Sequence, residues 1–174
     1  MSTKLFSQLI AVPALVTALS AAIASIGSTA PDFTLKDQYD HDVQLSTQRG
    51  QPVLLIYGDR LGSDYMGEWA AAVRNSPVAA SVQVIRIANL RGIPSLMRSF
   101  VKRQFMKPNS NGKPNSPVVL DWDAEVAKLY GFTEDLTNVY LIDEQRMLRY
   151  RACGKGTPEE TRQLVDTIAN IRQK

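Results

Sequence analysis

Cysteine is scarce in this chain: among 174 residues there is one, Cys153. One cysteine permits no internal disulfide, so the fold must rest on its apolar core. Histidine is equally rare, with His41 alone, held between Asp40 and Asp42. Neighbours on an extended chain point to opposite sides, so these three side chains cannot easily face one ion. The triplet reads as turn chemistry. No other His or Cys cluster has zinc or copper spacing, and neither a metal nor another cofactor is expected. Acid is missing from a long internal stretch, with no Asp or Glu between Glu68 and Asp121. Internal repeats and low-complexity tracts are lacking too.

What is present reads as a globular chain, 44% hydrophobic and 21% charged, of a length suited to one domain. Lys4 is the only charge before Asp32, and an apolar segment, LFSQLIAVPALVTALSAAIASIG, follows it. A positive start, an apolar middle and the small–x–small triplet Ala22-Ile23-Ala24 fit a secretory signal peptide. The rival reading is an uncleaved membrane anchor, diluted by Ser7, Gln8, Pro13, Thr17 and Ser20. Either way residues 1–27 are a leader or anchor, and residues 28–174 form a domain outside the cytoplasm, in the periplasm or exported. Losing Lys4 with the leader leaves 19 basic against 17 acidic residues, a charge of +2. That is not a nucleic-acid binder's balance.

Along the domain, alternation over Ala30-Pro31-Asp32-Phe33-Thr34-Leu35 and again over Val43-Gln44-Leu45, around an Asp-rich turn, predicts a hairpin. The continuous run VLLIY (53–57) predicts a strand covered on both faces. A helix follows from Met66. VQVIRIA (82–88) alternates strictly and predicts a second central strand. Residues 93–106 carry Ile93, Leu96, Met97, Phe100, Val101 and Phe105 at helical spacing. A short strand (118–120), a helix closed by Gly131, a hairpin around residues 143–146 and a final helix complete the order. Thr157, Pro158 and Glu160 form a capping box at the start of that helix. Helices alternating with strands give an α/β mixed sheet of about five strands, with helices on both faces.

Several stretches in this order resemble the thioredoxin-like superfamily, in particular the exported TlpA and AhpC/TSA-like redoxins. They are Ala30-Pro31-Asp32-Phe33-Thr34-Leu35, Gly50-Gln51-Pro52-Val53-Leu54-Leu55, Val119-Leu120-Asp121, Tyr130-Gly131 and Leu141-Ile142-Asp143. The resemblance spans roughly residues 30–172. It places the family's Cys-x-x-Cys on Gly62, Ser63, Asp64 and Tyr65, and the family's cis-proline on Thr137. Both cysteines and the proline are gone. From Phe100-Val101 to Gly154, with Ile93-Pro94 ahead of them, the chain is similar to the cysteine-less YtfJ-like family.

The candidate chemistry is correspondingly thin. Thiol exchange needs a poised thiolate, and Ser63 has no histidine near it in sequence. Cys153 is the one thiol, read either as a structural cysteine, buried or half-buried after the last strand, or as a lone reactive group. Asp59, Asp64 and Glu68 cluster at the loop–helix junction, read either as paired carboxylates for acid–base work or, in Asp64, as a cap for the helix. Tyr65 and Trp69, four apart, give one aromatic helix face, read as core or as a docking patch. Eight basic residues fill the acid-free stretch. Of these, Arg98, Lys102, Arg103 and Lys107 form rows on one helix, read as a solvated face or as a surface for an anionic partner.

The sequence therefore predicts a redox-inactive thioredoxin-fold protein that binds a protein partner or an anionic membrane surface. A one-cysteine redoxin using Cys153 and an anchored subunit of a membrane complex are the alternatives.

Overall fold

The computed structural model describes residues 23–48, 50–108, 111–112 and 115–171. The core of the leader segment therefore lies outside the described residues. Among those described, no helix is long and apolar enough to cross a membrane.

Seven strands make one sheet rather than the expected five. β1 (Thr34–Asp37) and β2 (Asp42–Gln44) form the N-terminal hairpin, with Leu35 opposite Val43. β3 (Val53–Gly58), β4 (Gln83–Asn89) and β5 (Val118–Asp121) run parallel. β6 (Asn138–Ile142) and β7 (Leu148–Cys153) close the other edge as an antiparallel hairpin. The order is β2-β1-β5-β4-β3-β6-β7. The two strands beyond those five are β1 and β2, the N-terminal hairpin, which joins the main sheet through β5.

All six residues of β3 are buried, as its unbroken apolar run requires. Its odd and even side chains enter different cores. Leu55 and Tyr57 meet Ile85, Ile87, Val119, Tyr140 and the helix α3 (Glu125–Tyr130). Leu54 and Ile56 meet α1 (Met66–Arg74) through Trp69 and Val73, and α4 (Pro158–Ile171) through Leu164 and Ile168. The capping box on α4 forms as the sequence predicts: Thr157 N donates to Glu160 Oε2 at 2.8 Å, and Glu160 N donates to Thr157 Oγ1 at 3.2 Å. The remaining helix, α2 (Ser95–Met106), departs from expectation, since none of its residues is buried.

Asp121 is the buried polar hub of the first core, fully excluded from solvent. Its Oδ1 accepts from Glu125 N at 2.8 Å, and its Oδ2 accepts from Val126 N at 2.9 Å and from the Tyr57 hydroxyl at 3.1 Å. It thereby fixes the start of α3 to the centre of the sheet. Asp121→Ala leaves a buried hydroxyl and two amides without acceptors, and about 2–3 kcal/mol of stability should be lost in denaturant titration.

Four tyrosine hydroxyls are committed in the same way. Tyr57 donates to Asp121, Tyr130 to Pro31 O, Tyr140 to Gly131 O and Tyr150 to Glu160 O. Burial is the main reason that all four phenols ionise above the ordinary value of 10.0, with Tyr140 and Tyr150 pushed up to about 12. A raised folded-state value favours the neutral phenol. The stability it supplies is whole below pH 10 and falls as pH rises through about 12. Thermal midpoints should therefore hold up to pH 10 and drop steeply above it, in step with the tyrosinate absorbance.

Candidate functional site

β3 ends at Gly58, and the chain turns through a polar loop into α1. The tetrapeptide Gly62–Tyr65 forms a single tight helical turn at that corner. Asp59 builds the turn. Its backbone oxygen accepts from Ser63 N at 2.9 Å and its Oδ1 from Gly62 N at 2.8 Å. Its Oδ2 reaches across to Asp135 N at 2.9 Å. Asp64, expected as the helix cap, makes no capping bond to α1. The local capping rule missed Asp59 because half of its role lies in a loop 76 residues away.

Gly62 is buried. A Cβ built on it would fall on the carbonyl oxygen of Leu136 and 2.6 Å from the carbonyl carbon. A Cβ on Gly58 would come within 2.9 Å of Gly62 C. Both obstacles are backbone, which cannot rotate aside as a side chain can. Thr137 is fully buried beside them, and its Oγ1 donates to Gly62 O. Among the described residues no peptide bond is cis. The loop before β6 thus lies directly on the first position of the tetrapeptide, with Asp135 holding a positive φ of 62° to bring it there.

The closure continues sideways. Gly154 N donates to Thr137 O at 2.7 Å, and Trp69 Nε1 donates to Gly154 O at 2.9 Å. The aromatic pair of α1 is therefore divided. Trp69 is core, while Tyr65 is half-buried with Lys155 Nζ 5.9 Å from its ring centre. Ser63 is exposed, with its hydroxyl turned onto Arg60 O at 2.8 Å.

Cys153 corrects the sequence reading on two counts. It is the last residue of β7 and not a residue after the strand, and it is exposed. It pairs with Asn138, so it stands at the same end of the sheet as the closed corner. Its exposure was readable, because Arg149 and Arg151 share its phase along β7.

The basic helix is partly neutralised. Arg98 Nη2 lies 3.2 Å from Asp123 Oδ1 with its guanidinium over Trp122, and Lys102 pairs with Asp40. Those acids come from outside the acid-free stretch, which is why spacing alone could not reveal them. Arg103 and Lys107 remain exposed. So do three members of the expected apolar stripe, Leu96, Met97 and Phe100, the first of them 93% accessible. His41 turns its Nδ1 to Asp37 Oδ2 at 3.1 Å, and Asp37 Oδ1 accepts from Tyr39 N and His41 N. The triplet is thus turn chemistry anchored on Asp37.

Comparison with known proteins agrees with this architecture. The profile of the AhpC/TSA family matches residues 26–151. No curated protein sequence matches significantly. Among solved structures, a provisionally named protein disulfide isomerase from Bacteroides thetaiotaomicron has a TM-score of 0.61 at 22% identity, covering 87% of this chain and 92% of that one. The exposed lipoprotein thioredoxin of Streptococcus pneumoniae gives 0.58 at 16%, covering 78% and 98%. The mitochondrial 2-Cys peroxiredoxin of Plasmodium falciparum gives 0.61 at 15%, covering 86% and 97%. Identities this low speak for the thioredoxin-like fold alone.

The closed corner makes a direct prediction. Gly62→Ala should lower stability by about 1–3 kcal/mol, because backbone must move to admit one methyl group. Ser63→Ala, one residue on and exposed, should stay within about 0.5 kcal/mol of the parent. Thermal or denaturant unfolding of the two variants checks the contrast.

Proposed function

The chain belongs to the AhpC/TSA family, and from that premise we propose that it is a redox-inactive member working as a binding module in the periplasm or at the membrane surface. One observation carries this reading. The position where the resemblance puts the family's first cysteine has no room for any side chain, because the Leu136 backbone occupies it. A dithiol cannot simply have been lost there with the site left open. The corner has been rebuilt as a packed joint.

The binding surface in this reading is the outer face of α2, with the degenerate loop 58–65 beside it. Leu96, Met97 and Phe100 are exposed together, with Arg103 and Lys107 on the same helix. An apolar group rimmed by cations suits a partner that offers a hydrophobic contact edged with acid. Arg98 and Lys102 would join it only by leaving Asp123 and Asp40, and exposed pairs of that kind hold by about 0.2–1 kcal/mol. Export follows from the leader reading of the sequence, with its positive start, apolar middle and small–x–small triplet Ala22-Ile23-Ala24.

The exposure of Cys153 beside the corner favours a second reading, a one-cysteine redoxin. Reductant-driven cleavage of insulin disulfides and peroxide consumption separate the two. The binding-module reading expects the chain to add nothing to the rate of dithiothreitol alone, and expects Cys153→Ser to match the parent. Turnover that vanishes in Cys153→Ser would replace it with the second reading. If the first holds, Leu96→Asp with Phe100→Asp should abolish retention of the parent's envelope partner.

A further inference from the structure

A cleft of about 1280 Å³ lies between α2 and the sheet, opening beside the corner. Its existence follows from the strict alternation of β4. Ile85 and Ile87 enter the core, so Arg86 and Ala88 face the opposite side. There α2 does not close down on them: Val101 and Phe105 form the far wall, and Met66 and Phe132 form the end by the corner. The volume lies above the roughly 300–1,000 Å³ of small-molecule sites, so a small ligand fills part of it. The location, outside the carboxyl ends of parallel strands, is where open α/β sheets take ligands.

Arg86 is the unusual member. It is half-buried, and among the described residues its side chain makes one hydrogen bond, from Nη2 to Ser116 O at 3.1 Å. No carboxylate forms an ion pair with it among the described residues. None can come from its own strand, from α2 or from the loops that join them, because the chain has no acid between Glu68 and Asp121. Burial holds its guanidinium below the usual range, and the like charge of Arg74 adds to that. Two further arginines, Arg60 and Arg91, line the mouth. The acids that line it do not compensate. Asp59 has both oxygens on backbone amides, and Glu134 stands exposed in the loop before β6. A half-buried cation without a counter-ion is costly, and an anion entering the cleft relieves that cost.

We propose that this cleft binds a small amphiphilic anion, with its carboxylate or phosphate head on Arg86 and its hydrocarbon body between Val101 and Phe105 of α2 and the sheet. The site is separate from the outer face of α2 and does not depend on whether the chain is redox-active.

Calorimetric titration of the full chain with octanoate, octyl phosphate, 1-octanol and inorganic phosphate tests the proposal. At least one of the two amphiphilic anions should bind one to one, about tenfold or more tighter than octanol or phosphate, since the charged head and the alkyl body are both needed. Which anion binds tighter identifies the head group. Arg86→Gln should weaken that binding about tenfold or more. Val101→Trp, which fills the cleft and leaves Arg86 in place, should weaken it as well, and decides the matter alone if Arg86→Gln does not fold. Arg162→Gln on α4 should bind as the parent does. No one-to-one binding of either anion, octanol binding as tightly, or parental affinity in Arg86→Gln would overturn the proposal.

Discussion

The C-terminal end of this sheet depends on one close contact, the backbone of Leu136 and Thr137 lying on Gly62. Only a residue without a side chain permits it, and once made it draws four elements together. Thr137 bonds the corner through its hydroxyl and accepts from Gly154, and Gly154 accepts from Trp69 of the helix that the corner begins. Asp59 closes the same circuit from the other side, with one carboxylate oxygen on Gly62 N and the other on Asp135 N. Each of these polar groups has its partner inside the joint. A network satisfied in this way is rigid, and any group withdrawn from it leaves another unpaired. A thiol site needs the opposite: an accessible sulfur, space for a mixed disulfide, and an approach for the substrate.

Rigidity at the corner has a counterpart in the looseness of α2. The helix contributes no buried residue, and its apolar side chains are shared between the cleft and the solvent. It is held from outside instead, by Lys102 to Asp40 in the β1–β2 turn and by Arg98 to Asp123 before α3. These are exposed tethers, worth little in stability. They set where the helix stands without pulling it onto the sheet, and the space beneath it persists.

Much of this architecture was legible in the sequence. The run VLLIY announced a strand buried on both faces, VQVIRIA announced a second central strand, and Thr157 with Glu160 announced the start of α4. The mixed α/β class followed from their order. What could not be read concerned partners distant along the chain. Asp59 looks like an ordinary loop acid until Asp135 arrives beside it, and the cations of α2 look free until Asp40 and Asp123 are brought to them. The helical spacing of Leu96, Met97 and Phe100 told that a helix would form. It did not tell whether anything would cover that face, because periodicity fixes the side on which residues lie and not what lies opposite. Cys153 is a different case. Its phase along β7, shared with Arg149 and Arg151, carried the signal, and the usual burial of free cysteine overrode it.

Closure and cleft are linked by the residues that they share. Gly58 and Asp59 belong to the packed joint, and they also form part of the cleft wall. A wall fixed by a satisfied hydrogen-bond network loses little freedom when a ligand settles against it, and association is favoured to the extent that such ordering is already complete. On this view the packing that leaves no room for sulfur at position 62 also readies the surface beside it. The same joint gives the cleft a preformed wall beside Arg86, a half-buried cation with which no carboxylate forms an ion pair among the described residues.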